Sequence, residues 1–249
     1  MKKFGYNVDK TLLFYDVDVS NLFTESMKYD LLKAIRESVQ TRFMTFHHDT
    51  CRENEDVKSI PAIYCSGLSL SKKIEWLENF YKNQITKVVS TTLDREVKPV
   101  NDIGRAITVQ VLGHGMRIEC HIDTYPTAAN LYLKTAPRGG ELAISPERNT
   151  KGYQNILNEA ETLVPLTEMT LGIVHLNNNA HTVTYCWDNV NEEVPLLALP
   201  NLDDKNFWAG ARIALNFNFD DPLFAESMPS SEERISIYNH IHGGSSKVN

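Results

Sequence analysis

Ala106-Ile-Thr-Val-Gln-Val-Leu-Gly-His-Gly-Met-Arg-Ile-Glu-Cys-His-Ile-Asp123 is the stretch whose reading decides the fold. Ile107, Val109 and Val111 alternate with Thr108 and Gln110, and Ile118, Cys120 and Ile122 alternate with Arg117, Glu119, His121 and Asp123. Alternation with period two marks a strand with one apolar and one polar face. Similar runs follow at Ala129 to Lys134, Glu141 to Ile144, Leu171 to Leu176, His181 to Trp187 and Arg212 to Phe219. About seven strands at this density predict a jelly roll or a related double-sheet β fold.

Working outward, the first hundred residues are mixed in character. Thr11 to Val17 reads as a short strand. Ser26 to Phe43 carries Leu31, Leu32, Ile35, Val39 and Phe43 at helical spacing, with Thr24 as its cap. Ser71 to Asn83 repeats the pattern with Ile74, Leu77, Phe80 and Tyr81, capped by Ser71, and the charged stretch between them reads as a surface loop. Ser231 to Ile241 reads as a closing helix. The expectation is one domain over 1–249, mainly β with flanking α. Residues 1–100 form a helical and mixed buttress, 101–220 the catalytic core, and 221–249 a C-terminal helix and tail.

Composition narrows the function. A hydrophobic content of 42% with 23% charged residues suits a soluble chain able to bury a core. A formal net charge of −7 argues against nucleic acid or an anionic membrane as partner. Cys51, Cys65, Cys120 and Cys186 are too scattered for a zinc knuckle or a disulfide framework. The basic N-terminus lacks the apolar stretch of a signal peptide, so a cytoplasmic location is expected. Gly-rich phosphate loops and nucleophile elbows are absent, which removes kinase and hydrolase readings.

Residues two apart on a strand point to the same side, so His121 and Asp123 can meet on one metal ion. Two imidazoles and a carboxylate are the ligand set of non-haem Fe(II), with positions left open for a cosubstrate and O2. A second such triplet, His47 to Asp49, has no strand alternation around it and reads as surface.

The order of motifs carries more than any one of them. His114-Gly-Met-Arg-Ile-Glu-Cys-His-Ile-Asp123 is followed by Asn130-Leu-Tyr-Leu133, Gly139-Gly-Glu-Leu142, Gly172-Ile-Val174, His181-Thr-Val183 and Gly210-Ala-Arg-Ile-Ala-Leu215. Over Gly115 to Phe219 this resembles the iron(II)- and 2-oxoglutarate-dependent dioxygenases. The resemblance implies a double-stranded β-helix (jelly-roll) core buttressed by the N-terminal helices. It further implies iron held by His121, Asp123 and His181, and Arg212 paired with the distal carboxylate of 2-oxoglutarate.

A guanidinium suits that carboxylate because its planar fork binds two oxygens and never deprotonates. Asn130, Tyr132 and Lys134 share one strand face and are further cosubstrate candidates; Lys134 is the alternative cation, because some family members use a lysine from that strand. His175 competes with His181, but His181 opens a new strand after a polar turn. Arg212 follows His181 by 31 positions, longer than is usual in the family. Asn189 to Ala209 is therefore an insertion, expected to form a lid over the site mouth or a dimer contact.

The resemblance implies Fe(II), 2-oxoglutarate and O2 as cofactors, with ascorbate supportive, and oxidation of an unactivated C–H bond. Asp123 fills the position that related halogenases leave to halide, so hydroxylation is expected. Arg117 and Glu119 share the face of His121 and, with Tyr125 and Trp208, are the substrate-binding candidates. An Arg–Glu pair suits a small zwitterion, so the expected partner is a small polar metabolite such as a free amino acid, with no nucleic acid or membrane and a homodimer as the assembly. The alternatives are a prolyl-hydroxylase-like enzyme acting on peptide or protein, and a cupin-type metal enzyme that does not use 2-oxoglutarate. A non-enzymatic β-sandwich binding module is the remaining rival.

Overall fold

The computed structural model describes residues 2–5, 12–45, 59–116, 125, 127–137, 139–140, 142–145, 162–164, 167–176, 181–184 and 198–224. The expected strand at Arg117 to Asp123 and the tail helix at Ser231 to Ile241 lie outside the described residues.

Among the described residues nine strands form one sheet. They are β1 (Lys2–Gly5), β2 (Leu12–Asp18), β3 (Gln40–Thr45), β4 (Ser59–Ser66), β5 (Lys98–Pro99), β6 (Ile107–Leu112), β7 (Thr127–Lys134), β10 (Thr170–Leu176) and β12 (Arg212–Asp220). The spatial order is β1-β2-β10-β7-β12-β6-β4-β3, with β5 also on β12. A smaller sheet orders β11 (His181–Thr184), β8 (Leu142–Ser145) and β9 (Thr162–Val164). From β7 onward the chain crosses to the small sheet, returns for β10, crosses for β11 and returns for β12. The last core strand thereby lands between β6 and β7, which is the winding of a jelly roll.

β6, β7 and β12 are buried along nearly their whole length, so both faces of the large sheet are covered. Register separates the faces. Val109, Leu215, Leu131 and Leu171 stand in one row across four strands. They belong to the same apolar cluster as Leu31 and Ile35 of α1 (Glu25–Ser38) and Leu77, Tyr81 and Ile85 of the second helical stretch. The next row, Thr108, Asn216, Asn130 and Gly172, is polar and faces the other way.

The helices depart from expectation in instructive ways. Thr24 does cap α1, its hydroxyl accepting from the Met27 amide at 3.1 Å. The helix ends at Ser38, however, and Gln40–Thr45 forms β3 against β4. Val39 and Phe43 had extended the helical pattern because residues four apart share a face in a strand as well as in a helix.

The expected helix at Ser71 to Asn83 is also redrawn. Ser66, and not Ser71, caps the short α2 (Gly67–Ser71). After a break, α3 (Trp76–Phe80), a π turn (Tyr81–Ile85) and α4 (Thr86–Leu93) run on. The π turn inserts one residue, which lets Phe80 and Tyr81 both point inward before Ile85, Val89 and Leu93 resume the stripe. The Thr86 hydroxyl donates to the widened turn's Tyr81 carbonyl at 2.9 Å. Tyr81 then reaches across the core: its hydroxyl donates to Asn218 O at 2.6 Å and accepts from the Val100 amide at 2.8 Å.

The far end of β12 is pinned by charge. Asp221 accepts a bidentate contact from Arg95, with Nη2 to Oδ2 at 2.6 Å, and a hydroxyl bond from Thr127 at 2.6 Å. Among the described residues no helix is long and apolar enough to cross a membrane.

Candidate functional site

Arg212, the first residue of β12, lies on the sheet face opposite the helices and is 1% exposed. The alternation that seats Arg212, Ala214, Asn216 and Asn218 together is dictated by Ile213, Leu215, Phe217 and Phe219, which the helix-side core claims. The guanidinium donates through Nη1 to Gly140 O at 3.0 Å and through Nη2 to Gln110 Oε1 at 3.1 Å. Its Cζ lies 5.9 Å from the centre of the Tyr132 ring. These two acceptors are neutral oxygens, and they orient the guanidinium plane. Gly139 and Gly140 have φ of 71° and 83°, a conformation that glycine adopts without strain, and the turn they make presents the Gly140 carbonyl to the guanidinium.

A polar column continues from Arg212 along that face. Tyr132 sits opposite Ala214, and Asn130 sits opposite Asn216. Asn216 Nδ2 donates to Asn130 Oδ1 at 3.1 Å. Asn216 is 8% exposed, and its Oδ1 has no hydrogen-bond partner among the described residues. Gly172, beside Asn130, leaves room for two rings: a Cβ there would meet Phe14 Cζ at 3.0 Å and Tyr132 Cε2 at 3.2 Å. From Arg212 to Asn216 the column runs about 13 Å, four residues of strand. A buried cation at one end and carboxamides along the way suit an elongated anion better than an apolar guest. The orphaned Asn216 oxygen marks a place where a further polar group fits.

Lys134 has a different environment. Its ammonium donates to Trp208 O at 2.8 Å, Ala209 O at 2.5 Å and Ala211 O at 3.1 Å. It thus caps α6 (Lys205–Gly210), the helical part of the expected insertion. This described part of the expected insertion is docked on the core. Trp208 is buried, with its indole N–H on Leu202 O at 2.7 Å and Arg36 5.5 Å above its ring. Phe207 lies against bare backbone at Gly113, where a Cβ would stand 2.1 Å from its ring. The helix leads into β12 at the Arg212 end. Tyr125 is also a core residue.

His121, Asp123, Arg117 and Glu119 lie outside the described residues. His181 is placed as the first residue of β11, opposite Ser145, while His175 sits within β10 opposite Thr127. Among the described residues no cluster of three His, Cys, Asp or Glu is assembled. The structure therefore brings together Arg212, Tyr132 and Asn130, and sets Lys134, Tyr125 and Trp208 in packing or capping surroundings.

Gln110 and Asn216 join the candidate site, although neither was among the residues expected to bind a ligand. Each was signalled by a polar side chain at every second position of an otherwise apolar strand. Which strand lay next to which was not legible, so their meeting with Arg212 and Asn130 was not either.

No family model and no curated protein matches the sequence. Solved structures do. An oxidoreductase of the 2OG-Fe(II) oxygenase family from Burkholderia pseudomallei superposes with a TM-score of 0.52 at 11% identity, covering 83% of this chain and 84% of that one. The non-heme alpha ketoglutarate dependent carbocyclase SnoK from nogalamycin biosynthesis gives 0.49 at 9% identity, covering 83% and 79%. A prolyl 4-hydroxylase from Phytophthora capsici gives 0.44 at 15%, covering 94% and 68%. At such identities what the first of these establishes is a shared fold.

Proposed function

We propose that this chain is a non-haem Fe(II)- and 2-oxoglutarate-dependent oxygenase that hydroxylates a C–H bond of a small polar metabolite. One observation carries the reading: a fully buried arginine at the head of a core strand, opening onto a polar column of Tyr132, Asn130 and Asn216 inside a jelly roll. The planar fork of a guanidinium matches a carboxylate bidentately, and a dicarboxylate supplies that group. The donor set fits 2-oxoglutarate. Arg212 would take the distal carboxylate, and Tyr132 and the asparagine pair would line its length.

His121, Asp123 and His181 are the residues assigned to the metal. Iron and 2-oxoglutarate, when bound, supply the oxidation, in which 2-oxoglutarate and O2 become succinate and CO2 as a substrate C–H becomes C–OH. The protein's part is to orient the cosubstrate through Arg212 and to keep water out of a face lined by buried strands. Arg117 and Glu119, next to the metal triplet in sequence, are the proposed grip on an amino acid's carboxylate and amine.

The test is anaerobic titration of the protein with Fe(II) and 2-oxoglutarate, followed by succinate assay with ascorbate and a panel of free amino acids. A weak visible charge-transfer band and substrate-stimulated succinate release are expected. A flat spectrum with iron demonstrably bound returns the protein to the cupin-type reading. A chlorinated product formed in the presence of chloride would overturn the assignment of Asp123 as a ligand.

A further inference from the structure

Lys134 and Arg212 are both cations near the start of β12, and their described contacts differ. The ammonium's three N–H donors match three carbonyls, those of Trp208, Ala209 and Ala211. The first two are among the last carbonyls of α6, which have no intrahelical donor and carry the negative end of the helix. The third belongs to the residue immediately before Arg212.

Just beyond, β12 slips register against β7. Ile213 pairs with Lys134, whereas Ala214 pairs with Tyr132, so an irregularity falls between Ile213 and Ala214. A bulge there alters where the neighbouring side chain aims. Arg212 is thus held between a carbonyl gripped by Lys134 on one side and a bulge on the other. Phe207 against Gly113 and Trp208 beneath Arg36 seat the same helix from two further directions.

We propose that Lys134 is a positioning residue: by capping α6 and gripping the Ala211 carbonyl, it fixes the backbone from which Arg212 reaches the distal carboxylate of 2-oxoglutarate. The proposal rests on the reading of Arg212 given above. It gives Lys134 a part other than direct contact with the cosubstrate, through the backbone oxygens it holds. Arg212 binds; Lys134 holds it in place.

The experiment compares two ligands on the Fe(II)-loaded full chain under anaerobic conditions: 2-oxoglutarate, and 2-oxopentanoate, which keeps the 2-oxo acid head but lacks the distal carboxylate. Dissociation constants are read for wild type, K134M, K134R and R212Q, with backbone amide exchange over 205–214 as a readout independent of turnover. K134M is expected to weaken 2-oxoglutarate about ten- to a hundredfold, the range typical of residues that orient a ligand-binding group. It should leave 2-oxopentanoate unchanged and speed exchange over 205–214, and K134R should recover most of the loss.

Equal weakening of both ligands would overturn the proposal, since a merely structural lysine acts on both alike. Unchanged 2-oxoglutarate binding or unchanged exchange in K134M would also overturn it. If R212Q alone leaves 2-oxoglutarate binding intact, the reading of Arg212 itself falls, and Lys134 with it. Should K134M fail to fold, K134Q, which keeps an amide donor, is held to the same expectations at smaller amplitude.

Discussion

Arg212 and Gln110 meet diagonally across the β12–β6 pair, guanidinium Nη2 to carboxamide Oε1 at 3.1 Å, on the face of the sheet turned away from the helices. The glutamine gives the buried cation an oriented neutral acceptor. Arg212→Gln should cost about 3 kcal/mol of 2-oxoglutarate binding, more than a hundredfold in Kd. Gln110→Leu should cost less, about 1 kcal/mol, because it removes one orienting hydrogen bond. Calorimetric titration of the iron-loaded protein measures both.

The Asp221 cluster predicts behaviour in acid. Burial raises the Asp221 pKa, but hydrogen bonds from Arg95, Thr127 and the Leu223 amide, with the Arg95 charge, outweigh it and hold the carboxyl below its usual value. A lowered folded-state pKa contributes stability that is present above the unfolded value of about 3.9 and is lost as pH falls through the folded one. Asp221→Ala removes the bidentate partner of the partly buried Arg95 and should cost about 3 kcal/mol at pH 7. Urea midpoints measured from pH 7 to pH 2.5 should fall more gently in that variant than in wild type.

Tyr81 ties the π turn to two strands through one hydroxyl, whose ring lies stacked 5.7 Å from Phe217. Tyr81→Phe keeps the ring but leaves the buried Val100 amide without its acceptor. The expected loss is about 2 kcal/mol in thermal or denaturant unfolding. A loss under a few tenths would show that another group takes over the amide.

Gly113→Ala sets a methyl where the Phe207 ring lies. The ring must move, and α6 with it. Overall stability is expected to fall by about 1–3 kcal/mol. 2-Oxoglutarate binding should weaken in parallel with faster amide exchange over 205–211.

Iron content separates His181 from His175. His181→Ala and His121→Ala should each lower bound Fe(II) below half of the wild-type stoichiometry by elemental analysis. His175→Ala, altered within the paired length of β10, should leave it unchanged.

Much of this molecule was legible in its sequence, for reasons that can be traced residue by residue. The core strands β6, β7, β8, β10 and β12 fall within two residues of where period-two and short apolar runs placed them, because successive side chains of a strand point to opposite faces. Thr24 was readable as a cap because only a short oxygen-bearing side chain does that work. The failures have equally local causes. Val39 and Phe43 fit both periods, so β3 was hidden inside an apparent helix. The π turn at Tyr81 is invisible to a 3.6-residue template, which treats Phe80 and Tyr81 as a widened stripe. The strand parity that Lys134 shares with Asn130 and Tyr132 was legible; the register slip at Ile213 and the carbonyls of α6 that its ammonium meets are tertiary facts that no local pattern carries.

By itself the amino-acid order determined which side chains could share a face, since pleat and helix pitch are properties of the backbone alone. It also determined that one strand would carry an arginine in register with asparagines. Tertiary structure alone decided which strands became neighbours, and so that Gln110, Gly140 and Tyr132 surround Arg212 while three carbonyls surround Lys134. Contacts between residues a hundred positions apart depend on how two sheets wind around each other, and no local period encodes that winding.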